Sequence, residues 1–262
     1  MQLPDPPIAI GFTAEIFAWK QGWILKLFKP DKSRQMVEME ARLARLVRAS
    51  GLPVPAVGEV IEVNGRFGLE YERVEGVSML QALVQQPWKF ASYARQLAGL
   101  QADMHKTKLL EMPSQKEKLA RKIRGAEILP ENVRRAALET LEGLPDQEWL
   151  CHGDFHPNNI LLTAHGPVII DWIDASRGSP LMDVARSTLL FGGGALPPGI
   201  PHWVKIVRGW FYRCYLQRYF EQNPINQHEL SRWIPVAAAA RLDENIYFDE
   251  RWLFSLARRL LQ

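Results

Sequence analysis

The sequence predicts an α+β chain in two lobes, from three observations. Short β-rich runs with glycine-bearing turns fill the first third, amphipathic helices fill most of the remainder, and 262 residues leave room for one large or two modest domains. We place a small antiparallel sheet with one main helix at residues 1–74, and a larger, mostly helical lobe at residues 75–262.

The elements follow in order. Pro6 to Ile10, Ile16 to Trp19 and Trp23 to Phe28 read as strands of a meander, with Lys20-Gln21-Gly22 as a turn. Met36, Met39, Leu43, Leu46 and Val47 recur at helical spacing, predicting a helix from Ser33 to about Arg48 that Gly51-Leu52-Pro53 ends. Strands over 57–63 and 66–74 are joined by Asn64-Gly65, a two-residue hairpin signal. After Gly76 helices are expected at about 77–85, 91–106, 115–125 and 131–142, a β segment at 148–171, and helices again from about 180.

Composition narrows the class. Hydrophobic residues at 47% and charged residues at 23% suit a folded chain, and no apolar run is long enough to span a membrane. The start, Met1 to Pro7, has no basic segment before an apolar core, so the expectation is a cytoplasmic protein with Cys151 and Cys214 reduced. A net charge of +3 is too small for a polyanionic partner; the basic stretch Lys106 to Arg124 reads as the wet face of a helix. No nucleic acid or membrane partner is expected, and a monomer or homodimer is.

The informative stretch is His152-Gly153-Asp154-Phe155-His156-Pro157-Asn158-Asn159, followed by Val168-Ile169-Ile170-Asp171. If Ile160–Thr163 and Pro167–Ile170 form a hairpin with the three-residue loop Ala164-His165-Gly166, Asn159 sits opposite Asp171. Their side chains would then lie about 5 Å apart. An amide oxygen beside a carboxylate is a hard-oxygen site for Mg²⁺, which takes few protein ligands. Asp154, entering the same end, can accept a proton from an incoming hydroxyl. His, Asp, Asn and a second Asp in this order match the catalytic-loop logic of phosphoryl transfer. Gly153 and Pro157 preclude a zinc-binding helix through His152 and His156.

These residues, with Ile170-Asp171-Trp172, resemble the signature of the aminoglycoside phosphotransferase/choline kinase family. The resemblance implies a two-lobe protein-kinase-like fold and a small-molecule kinase using ATP, or GTP, with Mg²⁺. It implies Asp154 as catalytic base, Asn159 and Asp171 as metal ligands, His152 as a brace of the catalytic loop, and Asp183 as the buried aspartate bonded to that loop.

The upstream partners fit. Lys26 shares a strand face with Ile24 and Phe28, where a lysine is costly unless paired, and Glu40 flanks the helix stripe while Glu38 points to water. Lys26 paired with Glu40 would hold the α- and β-phosphates. Gly11-Phe12-Thr13-Ala14-Glu15 carries one glycine where protein kinases have three, but its backbone and Thr13 can contact phosphate. By analogy, adenine hangs from the Glu72 carbonyl and the Val74 amide. There is no Gly-x-x-x-x-Gly-Lys-Ser/Thr loop, and Gly192-Gly193-Gly194 has no following lysine.

For the acceptor, residues 203–254 hold 12 of the 26 aromatic residues; Trp203, Trp210, Phe211, Tyr215 and Tyr219 follow helical spacing, so most are expected in the core, and the rest could cage a quaternary ammonium. An aminoglycoside would want carboxylates, and Asp243, Glu244, Asp249, Glu250 and Asp174 are candidates. Ile173 stands where the family often has an acidic residue. The expectation is therefore phosphoryl transfer to a hydroxyl of a small, cationic molecule. The rival readings are a catalytically silent nucleotide- or partner-binding module and, last, a protein-serine kinase, for which no activation segment follows Asp171.

Overall fold

In a computed structural model, residues 6–11, 13–193, 202–244 and 249–261 are described. The chain forms two compact units, one of residues 1–78 with 159–173 and the other of residues 79–158 with 174–262. A linear cut near residue 75 therefore misses one exchange: the hairpin carrying Asn159 and Asp171 belongs with the first unit, because its strand Ile160–Thr163 pairs with Val77–Ser78 and the Ile169 amide bonds the Pro53 carbonyl.

The first unit holds β1 (Ala9–Ile10), β2 (Ala14–Ala18), β3 (Trp23–Phe28), α1 (Arg34–Ala49), β4 (Val57–Val63), β5 (Arg66–Glu72) and β6 (Val77–Ser78). Five strands form an antiparallel sheet in the order β1-β2-β3-β5-β4. The β4–β5 turn is Asn64-Gly65, with φ of 53° and 76°; both residues are left-handed, as a two-residue hairpin twisted like its strands requires.

Ser33 caps α1, its Oγ accepting from the Met36 amide at 3.3 Å. Alternation along β3 divides the core. Leu25 and Leu27 pack with Phe17 and Val63 on one face of the sheet, while Phe28 joins Ala14 and Leu69 against Val37 and Ala41 of α1 on the other. Lys26, between Leu25 and Leu27, faces the α1 side with Phe28. Met39, expected in the stripe, is exposed; Val37, Ala41 and Ala44 fill its place on the buried face.

The second unit holds α2 (Met79–Gln85), α3 (Phe90–Met104), α4 (Gln115–Gly125), α5 (Glu131–Gly143) and β7 (Trp149–Cys151). The strands β8 (Ile160–Thr163) and β9 (Gly166–Ile169) then form the hairpin of the first unit. The chain returns through β10 (Ser176–Gly178), α6 (Pro180–Ser187), α7 (His202–Gln222), α8 (Gln227–Arg241) and α9 (Glu250–Ala257). β10 pairs antiparallel with β7, which sets Ser176 opposite Cys151 and fixes the start of the loop from His152 to Asn159. The run Ala237–Ala240 of α8 is buried; side chains this small allow close helix approach. Phe211, Tyr215 and Tyr219 of α7 are buried and meet Phe191 or one another, so they are core as expected, whereas Trp210 is exposed. The side chain of Trp203 lies outside the described residues, as do Phe12 and Gly194. No helix among the described residues is long and apolar enough to cross a membrane.

Candidate active site

The first unit supplies a buried ion cluster. Lys26 Nζ lies 2.8 Å from Glu40 Oε1 and 2.9 Å from Asp171 Oδ1. The expected Lys26–Glu40 pair is thus formed, with Asp171 as a second partner. Glu40 is fully buried, its Oε1 also accepts from the Tyr71 hydroxyl at 2.9 Å, and its Oε2 has no partner among the described residues. Burial works against the Lys26 charge, but Glu40 and then Asp171 outweigh it and hold the ammonium above its ordinary range.

The hairpin register differs from the expected one. Thr163 pairs with Gly166 and Ile160 with Ile169, so the turn has two residues, Ala164-His165, and the Ile170 amide bonds the Asn159 carbonyl at 3.0 Å. Asn159 therefore faces Ile170, not Asp171. The cause is local: Thr163 Oγ1 accepts the His165 amide at 3.0 Å and donates to the Gly166 carbonyl at 2.8 Å, closing the shorter turn. Gly166 has φ of 119° there. Asp171 lies beyond the ladder with φ of 66°, a left-handed conformation costly for a non-glycine residue, which breaks strand alternation at this position. Its side chain remains 40% exposed.

The second unit supplies the loop. His152 is buried and its Nδ1 accepts the Asp154 amide at 3.2 Å. Asp183 takes the His152 amide at 3.1 Å on Oδ2 and the Gly153 amide at 2.6 Å on Oδ1. Gln101 Nε2 and His105 Nε2 lie 3.1 Å from the same carboxylate, and His105 Nδ1 lies 2.7 Å from the Tyr219 hydroxyl. Burial pushes the Asp183 carboxyl up, but His105 and His152 with the Gly153 amide outweigh it and hold it below the usual range. Gly153 has φ of 80°, and a Cβ there would come within 2.5 Å of the Asp174 carbonyl.

Asp154 has His156 Nε2 at 3.3 Å and Arg186 Nη2 at 3.4 Å. Burial raises its carboxyl, yet the His156 hydrogen bond and the Arg186 charge prevail and keep it well below the usual carboxylate range. It is an ionised carboxylate held between His156 and Arg186.

The other candidates lie as follows. The Thr13 carbonyl accepts the Lys29 amide at 3.0 Å. Glu72, at the end of β5, accepts the Ala56 amide through its carboxylate at 2.9 Å, and Val74 follows in the half-buried connection. Asp174 has Lys118 at 3.6 Å and Lys122 at 3.7 Å, and Glu244 takes Lys122 at 3.1 Å and Arg186 at 2.8 Å. Asp249 is buried 3.9 Å from Arg241, Asp243 borders Gly125 of α4, and Glu250 opens α9. These five carboxylates do not line one acidic surface; Asp174, Glu244 and Asp249 already face cations.

Sequence reasoning missed Arg186, His105, Gln101 and Tyr71. Arg186 left one trace: it follows Asp183 at helical spacing within an otherwise apolar run.

Among the described residues no cluster of three His, Cys, Asp or Glu side chains could hold a metal ion. Asn159, buried, and Asp171, part-exposed, carry only oxygen ligands, an amide oxygen and a carboxylate, a ligand type that suits Mg²⁺ rather than zinc.

No curated protein sequence matches. Among solved structures, a thermostable mutant of aminoglycoside phosphotransferase APH(4)-Ia, in ternary complex with AMP-PNP and hygromycin B, is 16% identical with a TM-score of 0.67, covering 99% of this chain and 93% of that one. Aminoglycoside phosphotransferase APH(2'')-Ib, ADP-bound, is 16% identical with a TM-score of 0.60, covering 100% and 93%. A choline/ethanolamine kinase family protein from Mesorhizobium loti is 15% identical with a TM-score of 0.63, covering 99% and 88%. The two-lobe kinase-like α+β fold is the one these structures share with it. Residues 7–202 match the model of the phosphotransferase enzyme family, and the chain belongs to that family.

Proposed function

We propose that the chain transfers the γ-phosphoryl group of ATP, or of GTP, to a hydroxyl of a small molecule, with Mg²⁺. The observation that carries this reading is the loop His152 to Asn159, whose Asp154 is held as an ionised base by His156 and Arg186 while Asp183 grips the preceding backbone. The nucleotide belongs to residues 1–74 with the hairpin that carries Asn159 and Asp171, and the acceptor to the rest of residues 75–262.

In this reading Lys26, oriented by Glu40, neutralises the α- and β-phosphates, Thr13 and its backbone contact phosphate, and Glu72 and Val74 offer backbone groups to adenine. Asn159 and Asp171 would hold Mg²⁺, which when bound offsets phosphate charge. Asp154 orients the acceptor hydroxyl and takes its proton, and His152 and Asp183 keep that loop in shape. Support for nucleotide use also comes from the AMP-PNP and ADP complexes of the similar structures. A cationic acceptor draws less support, because Asp174, Glu244 and Asp249 already face lysine or arginine.

The test is ADP release from Mg²⁺-ATP across a panel of aminoglycosides, amino alcohols, sugar alcohols and hydroxy acids. Asp154→Asn should keep its thermal stabilisation by Mg²⁺-ATP and lose turnover. Stabilisation of the unaltered protein with no acceptor phosphorylated would instead favour a silent nucleotide-binding module.

A further inference from the structure

Beside the catalytic loop, wholly within the second unit, lies a recess whose lining includes Lys118 and Lys122 of α4, Arg186 of α6, Arg241 of α8, Asp174 and Glu244. Donors outnumber acceptors there. Glu244 serves both Lys122 and Arg186. Asp174 stands 3.6 and 3.7 Å from the two lysines, beyond a direct hydrogen bond, and Lys118 Nζ reaches the Ala175 carbonyl at 3.5 Å.

Arg241 is the extreme case. It is 6% exposed, its Nη2 lies 3.9 Å from Asp249, and its buried Nε and Nη1 have no hydrogen-bond partner among the described residues. Buried guanidinium N–H groups without acceptors are costly unless something else meets them. The other carboxylate in the lining, Asp183, is spent on the loop backbone, Gln101 and His105.

We propose that this recess binds an anionic group of the acceptor, a carboxylate or a phosphate, with Arg241 and Lys118 as its donors and Lys122 beside them. Guanidinium and ammonium donors suit the oxygens of either group, Arg241 through an N–H group that meets no acceptor and Lys118 as a point charge. The local electrostatics agree. Burial, with the Arg186 charge behind it, pulls Arg241 down to about 10, and burial also lowers Lys118. Added negative charge would reverse both effects.

The assignment rests on the phosphotransferase reading, because Arg186 lines the recess and also touches Asp154. An acceptor anchored there by its anion presents a hydroxyl to that base. The acceptor oxygen bonds the γ-phosphorus, the bond from that phosphorus to the ADP oxygen breaks, and the hydroxyl proton passes to Asp154. Acceptors would then be hydroxy acids or phosphorylated alcohols rather than polyamines.

Two measurements test this on the full chain. Inorganic phosphate and acetate are titrated by calorimetry against the unaltered protein, Arg241→Gln and Lys118→Gln. At least one anion should bind, about tenfold or more weakly in each variant; should Arg241→Gln not fold, the less buried Lys118→Gln decides. No binding, or equal affinity in the variants, overturns the site. ADP release is then followed with glycerate, glycerol 3-phosphate, glycerol and ethanolamine, and with the acceptor panel above. An anionic acceptor should be used, with its KM raised about tenfold in Lys118→Gln and kcat nearly unchanged. Preference for glycerate or for glycerol 3-phosphate tells carboxylate from phosphate. Turnover confined to neutral or cationic acceptors and unaffected by Lys118→Gln overturns the recess while leaving the phosphotransferase reading intact. Anion binding lost in both variants with no acceptor turned over supports the recess as an anion site and overturns the phosphotransferase reading.

Discussion

Asp183 and Gly153 are joined by a 2.6 Å hydrogen bond from the glycine amide to a carboxylate that also takes the His152 amide, so one buried side chain grips two successive peptides of the loop carrying Asp154. Removing it orphans those amides, takes the carboxylate from His105, and leaves Gln101 Nε2 with Ser187 Oγ at 3.3 Å. Asp183→Ala should cost about 3 kcal/mol or more in denaturant unfolding. The Asp183 pKa is depressed, so its stabilisation is fully present above the ordinary carboxylate range and is lost as pH falls through its lower folded-state value. The deficit of Asp183→Ala should therefore be largest near neutrality and shrink under acid.

Gly153→Ala tests the same loop sterically. A left-handed φ of 80° and a Cβ 2.5 Å from the Asp174 carbonyl combine to force a backbone shift. The expected cost is about 2 kcal/mol in unfolding, with turnover falling more than nucleotide binding as Asp154 moves with the loop.

Lys26 neutralises the fully buried Glu40. Lys26→Met should destabilise by about 3 kcal/mol because it strands that charge. The double variant Lys26→Met with Glu40→Gln should be more stable than Lys26→Met alone, as a double-mutant cycle in urea would show.

The Asp154 carboxyl lies below the usual carboxylate range, so the proposed base is ionised throughout the neutral region. The kcat/KM profile should show no acid limb from it above about pH 5. His156→Gln removes its hydrogen-bonded partner, and any acid limb should move upward.

Cys151 is buried and its thiol is pushed well above the ordinary range, first by burial and then by the Asp183 charge. In the native protein at mildly alkaline pH it should resist a thiol reagent that modifies the half-buried Cys214, and both should react after unfolding.

Much of this was legible one residue at a time. Asn64-Gly65 announces its turn because two left-handed residues suit few other pairs, and Lys26 with Glu40 shows as charge misplaced on apolar faces. The order of His152, Asp154, Asn159 and Asp171 stands out because the chemistry keeps its members close along the chain. The hairpin register was hidden, since Thr163 decides it through two hydrogen bonds that hydrophobic alternation does not record. Arg186 and Arg241 were hidden for a different reason: their surroundings assemble from α4, α6 and α8, and no local pattern announces which carboxylates will already be taken.

The short turn of that hairpin gives the chain an unusual sensitivity to length. A surface tip such as Ala164-His165 ordinarily accepts inserted residues at little cost. Here an extra residue that entered the ladder instead of the tip would slip the pairing at the far end, where Asn159 now faces Ile170, and exchange the faces presented by its side chains. The loop works as a ruler: its residue count, rather than its composition, sets what stands opposite Asn159.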